Sequence, residues 1–282
     1  MQVERARELG LCYGVRRAVD MVHEAVLEHG SLQTLGPLAH NRTLLVDLAA
    51  QGITAVNCAQ DITGPVVVVS AHGVPPDTVK VFSRRGITVI DTTCPIVAHA
   101  QKVVADMAQE GLTIVIFGDA QHSEVRGLLG WAGSRSIATL DLKDLRDRPS
   151  LFRGARVGIV SQTTQRIEDF AAFVQAAASE TLLQGKEVRA VNTLCDATRR
   201  RQAAAAELAQ EVDAMIVIGG RNSANTRRLA ESCAAIVETH LVETPEEIAG
   251  CPLEGKRRVG LTAGASTPDS SIETVERLLR QL

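Results

Sequence analysis

Three cysteines set the frame into which this chain can fold. Cys12, Cys94 and Cys195 each stand directly before a stretch of helical periodicity, and twenty-four residues after each comes a glycine: Gly36, Gly118 and Gly219. Four residues further on stand His40, His122 and Ser223. In the second and third copies the glycine directly follows an apolar run, Thr113–Phe117 or Ala214–Ile218. Each copy reads as cysteine, helix, strand, glycine turn and polar residue. Later in each copy a second strand ends in small polar residues: Ser70-Ala71-His72-Gly73, Ser161-Gln162-Thr163-Thr164 and Thr262-Ala263-Gly264-Ala265-Ser266. The distance from the cysteine to this ending differs between copies, so that half of the repeat is looser.

Val66–Ser70, Arg156–Val160 and Arg258–Thr262 complete a set of short runs that read as strands buried on both faces. Between them lie amphipathic stretches. Val15, Ala18, Val19, Val22 and Val26 share one helical face, and so do Ile96, Val97, Ala100, Val103, Val104 and Met107. This alternation predicts an α/β fold: three similar lobes with small, mostly parallel sheets and flanking helices, in pseudo-threefold symmetry around one centre. Repeated βα units carry their functional groups beyond the carboxyl ends of the strands, so the thiols and polar strand endings are expected to converge there.

Composition narrows the function. Aromatic residues make up 2%, so the cores must be built from Val, Ile, Leu and Ala. A net charge of −3 offers no basic excess for nucleic acid. The opening MQVERARELG lacks the apolar run of a signal peptide, and runs such as Pro65–Val69 are far too short to span a membrane. The chain is therefore expected to be soluble and cytoplasmic. Six cysteines in a reducing compartment point to free, catalytic or metal-binding thiols, and none forms a CxxC pair.

A thiol at a helix start meets the positive end of the helix dipole, which favours the thiolate. Three convergent thiolates suit Zn²⁺ or an iron–sulfur cluster. Their wide spacing is unlike that of structural zinc sites, and three ligands on a cubane leave one iron open for substrate. Cys58, Cys233 and Cys251 break the register and read as inert. His40, His72 and His122, with Ser223, Asn225 and Ser266, read as an anion site, since imidazole, hydroxyl and amide groups donate to phosphate oxygens. Glu124 is the candidate acid, and Thr163 a second proton-relay candidate. Ser123 and Glu124 also read as a helix start capped by serine. The runs Arg16-Arg17, Arg199-Arg200-Arg201 and Arg227-Arg228 read as solvated helix faces or as a docking patch for an acidic electron carrier. The same three thiols could instead hold zinc in a hydrolase with Glu124 as base, or a cluster in a non-enzymatic redox sensor.

Several segments closely resemble one known family: Cys12-Tyr13-Gly14-Val15-Arg16-Arg17-Ala18, Leu35-Gly36-Pro37-Leu38-Ala39-His40-Asn41, Asp91-Thr92-Thr93-Cys94-Pro95, His122-Ser123-Glu124-Val125, Asn192-Thr193-Leu194-Cys195 and Asn222-Ser223-Ala224-Asn225. With the strand endings above, they resemble the 4-hydroxy-3-methylbut-2-enyl diphosphate reductases of the non-mevalonate isoprenoid pathway, in order and over nearly the whole chain. The resemblance implies lobes at 13–94, 95–191 and 192–282, the last completed by 1–12. It implies one 4Fe-4S cluster held by Cys12, Cys94 and Cys195 with one iron open to the substrate hydroxyl. An allylic diphosphate would sit among His40, His72, His122, Ser223, Asn225 and Ser266, with Glu124 and Thr163 ordering proton delivery. Electrons would come from ferredoxin or flavodoxin. Ala224 stands where some members have serine, and Ser123 where proline is frequent. The charged segment Gln2–Glu8 would have to form an exposed edge strand.

Overall fold

The computed structural model describes residues 1–282. Its strands are β1 (Gln2–Arg5), β2 (Leu32–Leu35), β3 (Ile53–Val56), β4 (Val66–Val69), β5 (Thr88–Asp91), β6 (Thr113–Phe117), β7 (Ser136–Thr139), β8 (Arg156–Ser161), β9 (Glu187–Ala190), β10 (Ala214–Ile218), β11 (Thr239–Val242) and β12 (Arg258–Ala263). Its helices are α1 (Tyr13–His29), α2 (Arg42–Ala50), α3 (Pro76–Arg84), α4 (Pro95–Gln109), α5 (Ser123–Ala132), α6 (Lys143–Arg146), α7 (Pro149–Phe152), α8 (Ile167–Leu182), α9 (Asp196–Ala209), α10 (Ala224–Ala234) and α11 (Asp269–Leu279).

The strands form three four-stranded parallel sheets, ordered β3-β2-β4-β5, β7-β6-β8-β9 and β11-β10-β12-β1. Counted within its own sheet, each runs second, first, third, fourth. In the last sheet the fourth place is taken by β1, from the opposite end of the chain. Contacts group the residues into two bodies, Met1–Leu32 with Pro37–Ala55 and Asp196–Leu282, and Gln33–Gly36 with Val56–Cys195.

Side-chain alternation explains why the strands are apolar throughout. In the first body, Ala214, Ile216 and Ile218 of β10 pack on one face with Ile272, Val275 and Leu279 of α11. Met215 and Val217 point to the opposite face, against Ala205 and Ala209 of α9 and Leu229 and Cys233 of α10. A strand covered by helices on both sides has no face left for polar residues. In the second body, Ile114 and Ile116 of β6 meet α4 and α5 through Ala100, Val104, Val125 and Leu128. Val115 and Phe117 meet Phe170, Phe173 and Ala177 of α8. On α4 the buried set is Val97, Ala100, Gln101, Val104 and Met107; Ile96, expected on that face, is 40% exposed, and Gln101 is buried in the apolar row.

The charged β1 is an edge strand, as its composition requires. Val3 turns inward, while Glu4 accepts from the Arg258 guanidinium at 2.8 Å and Arg5 pairs with Glu276. Charged side chains on an exposed edge discourage further strand pairing.

The repeat is carried by the backbone as well. The glycine after the first strand of each sheet donates its N–H to the last residue of the second strand: Gly36 to Val56, Gly118 to Thr139 and Gly219 to Val242. The first copy therefore keeps the strand–glycine junction that its less apolar sequence conceals. Each register cysteine donates its N–H to a carbonyl two residues beyond the third strand: Cys12 to Ala265, Cys94 to Ala71 and Cys195 to Thr163.

Ile216 is fully buried in an interior strand. Ile216→Ala should destabilise the fold by about 2–5 kcal/mol, measured by denaturant unfolding, because it removes buried methyl groups and leaves a cavity.

Candidate functional site

Three thiols share one local setting. Cys12 and Cys94 are the N-cap residues of α1 and α4, and Cys195 directly precedes α9. None of the three is in a disulfide, and all are half-buried and pinned through their own N–H groups. The other cysteines differ from them and from one another. Cys233 is fully enclosed, and burial pushes its thiol up to about 11. Cys251 donates to the Glu247 carbonyl at 3.6 Å, and Cys58 is exposed. Each of the three is an accessible, backbone-fixed thiol at the start of an α-helix, the setting that suits a thiolate ligand of a metal or cluster.

The first body holds half of the expected anion site. Ser223 caps α10, its Oγ accepting from the Thr226 N–H at 3.3 Å, so its hydroxyl proton remains available for donation. Asn225, in the first turn of the same helix, is 6% exposed, and its Nδ2 has no partner. A helix start carrying a buried, unspent amide donor is suited to an anion. Ser266 Oγ donates to the His40 carbonyl at 3.3 Å. The Gly219-Gly220 turn lies so close to that carbonyl that a Cβ on Gly220 would overlap it. Burial, reinforced by the Arg227 guanidinium, lowers the His40 pKa and so favours the neutral ring.

The second body holds the acid and two histidines. Thr163, beyond the end of β8, donates its N–H to Glu124 Oε1 at 2.7 Å and its hydroxyl to Oε2 at 2.8 Å. Burial raises the Glu124 pKa to about 7, and the two Thr163 bonds oppose that shift without cancelling it. An N–H can only donate, whereas a hydroxyl can reverse. When Glu124 is protonated, its proton therefore belongs on Oε2, facing Thr163 Oγ. The expected serine cap is corrected: α5 is capped by His122, whose Nδ1 accepts from the Glu124 N–H at 3.2 Å, and Ser123 Oγ is buried without a partner. Accepting at Nδ1 leaves the neutral ring's proton on Nε2. His72 approaches Ser70 Oγ at 3.4 Å through Nδ1, and its ring meets that of His122 edge to face at 5.6 Å.

Arg201 departs from the expected solvated face. It is 3% exposed and donates to the Gly10 carbonyl at 3.0 Å, two residues before Cys12. Arg199 and Arg200 remain exposed and pair with Asp196. The polar roles of Arg201 and Gln101 escaped sequence reading. Gln101 alone left a signal, as a polar residue spaced to fall on the buried face of α4.

Glu124 supplies a pH-dependent stability term whose sign follows from its raised pKa. The folded chain holds the proton more tightly than the unfolded chain, so the contribution is complete below about pH 4.5 and lost as pH rises through about 7. Between pH 5 and 8 the unfolding free energy should fall by about 2–3 kcal/mol from this group, and Glu124→Gln should remove that slope in denaturant titrations.

Comparison with known proteins agrees over the full length. The sequence profile of the LytB protein family matches residues 3–280. The 4-hydroxy-3-methylbut-2-enyl diphosphate reductase of Dehalococcoides mccartyi strain CBDB1 is 43% identical over 282 residues, covering 100% of this chain and 99% of that one. The protein of the same name from Geobacter sulfurreducens is 40% identical over 280 residues, covering 99% and 97%. A solved (E)-4-hydroxy-3-methyl-but-2-enyl diphosphate reductase, described as the terminal enzyme of the non-mevalonate pathway, superposes with a TM-score of 0.72 at 36% identity, covering both chains completely. A Plasmodium falciparum reductase structure shares the fold, with a TM-score of 0.90 at 24% identity over 99% of this chain and 87% of that one. Three sheets of one topology, three equivalent thiols and a match from end to end lead to one conclusion: the chain belongs to the LytB family.

Proposed function

We propose that the chain reductively dehydroxylates 4-hydroxy-3-methylbut-2-enyl diphosphate in the cytoplasm. Two electrons and two protons are taken up, the C–O bond to the hydroxyl breaks, and the products are water with isopentenyl or dimethylallyl diphosphate. The observation that carries this reading is the buried Glu124 carboxyl, held by Thr163 and able to keep a proton near neutral pH, in a chain that also presents three equivalent thiols. The substrate comes from the named relatives.

Cys12, Cys94 and Cys195 would hold one 4Fe-4S cluster per chain, within lobes at 13–94, 95–191 and 192–282 completed by 1–12. When bound, that cluster supplies the two electrons and an open iron for the substrate hydroxyl. It would be fed by ferredoxin or flavodoxin. The chain's own residues do the remaining work. His40, His72, His122, Ser223, Asn225 and Ser266 bind the diphosphate. His122, with its proton on Nε2, donates outward while its Nδ1 stays committed to the helix cap. Glu124 stores a proton on Oε2 and passes it to Thr163 Oγ, which releases its own proton toward the departing hydroxyl. The hydroxyl therefore leaves as water, and the second proton goes to carbon.

The first test is iron and acid-labile sulfide on anaerobically prepared protein. About four of each per chain, with a visible spectrum that changes on adding the substrate, is the expected result; zinc, or no iron after reconstitution, refutes it. Cys94→Ser should lose stable iron binding, whereas Cys233→Ser should keep it. Because the acid form of Glu124 is the donor, turnover should fall as pH rises past about 7. Glu124→Gln should lower turnover about 10²-fold or more, with iron content and diphosphate affinity retained.

A further inference from the structure

His72–Pro75 is the later part of the segment that links β4 to α3. Gly73 donates its N–H to the Ser70 carbonyl at 3.0 Å and has a φ of +70°, a conformation that side chains other than glycine's resist. A Cβ there would also overlap the buried Gln101 amide. On its other side the segment runs along α5. A Cβ on Gly127 would lie 3.8 Å from the Gly73 carbonyl group, and one on Gly130 would come within 2.5 Å of Pro75 Cβ. Between these contacts the Trp131 indole N–H donates to the Val74 carbonyl at 3.1 Å. The helix receiving the segment is the one that His122 caps, and the two imidazoles meet at 5.6 Å.

We propose that Trp131, with the bare backbone of Gly130 beside it, is a positioning residue for His72. Helix α5 is a rail: His122 sits at its start, and Gly127, Gly130 and Trp131 hold the next segment against its side. The spacing of the two imidazoles is therefore fixed by one rigid element rather than by two loops. The indole bond acts on Val74 O, two residues from His72, and does not touch substrate. This role rests on the reading above that His72 and His122 bind the substrate's diphosphate, and it names what sets their separation.

The test uses two variants of the full chain. Trp131→Phe keeps the ring bulk and removes the donor. Gly130→Ala raises helix propensity yet pushes a methyl into Pro75. Imidazole nitrogen spectra of the ligand-free protein should show His72 and His122 signals displaced in both variants, with His240 unmoved. Inorganic diphosphate, titrated calorimetrically, should bind about fivefold more weakly to Trp131→Phe, the effect of one net hydrogen bond. Trp131→Phe should melt near the parent and Gly130→Ala lower, because its methyl meets a proline ring and not the end of a flexible side chain. If the His72 and His122 signals coincide with the parent's in both variants, the proposal is overturned, whatever the affinities do. A parent chain that binds no diphosphate refutes the diphosphate reading instead, and the spectra still decide the role of Trp131.

Discussion

The structure depends on one backbone contact made three times. A cysteine N–H at the start of a helix donates to a carbonyl two residues past the third strand of a sheet. Each such bond fixes where the thiol stands relative to a strand end, and strand ends are where parallel sheets present their chemistry. The cysteines are placed through their backbone N–H groups. Their surroundings are set by the ladder that holds each sheet together, so the thiols are as rigid as the fold. Glycines at the other strand junction make an equally constant bond, Gly36, Gly118 and Gly219 each closing onto the end of the second strand.

That constancy explains what could be read from the sequence. The distance from cysteine to glycine survives as a count of residues because the combined span of helix, turn and strand is kept. The helices themselves run 17, 15 and 14 residues and the strands 4, 5 and 5. The strand endings at Ser70, Ser161 and Thr262 were visible as motifs but not in register, because the connections leading to them vary in length. Placement by side chains was less legible. The serine at position 123 has the chemistry of a cap, yet the preceding histidine ring takes that role because its Nδ1 reaches the Glu124 N–H. Arg201 sits in a run of three arginines and is the one whose helical position turns it inward, where Gly10 offers an acceptor. Trp131 finds Val74, 57 residues away, and no local pattern encodes such a meeting.

The acid at Glu124 shows how burial and hydrogen bonding divide their work. Enclosure alone favours the neutral form, and the Thr163 N–H favours the charged one. Their opposition leaves the carboxyl near neutrality instead of far above it. One of its oxygens faces a donor that cannot reverse and the other a donor that can. Geometry thereby gives the proton a preferred oxygen and a direction of exit.

The permuted strand has a consequence for how the chain is made. β1 leaves the ribosome well before its partner β12; Glu4 and Arg258 lie 254 residues apart. At synthesis rates of roughly 5–20 residues per second, β1 waits on the order of 10–50 s for its neighbour. The carbonyl of Ala265, which anchors Cys12, emerges as late. Two sheets can form while translation continues, whereas the third is completed only when β1 meets β12. The Cys12 N–H is then the last of the three to find its carbonyl, and a nascent chain, or one cut before Ala265, lacks that anchor.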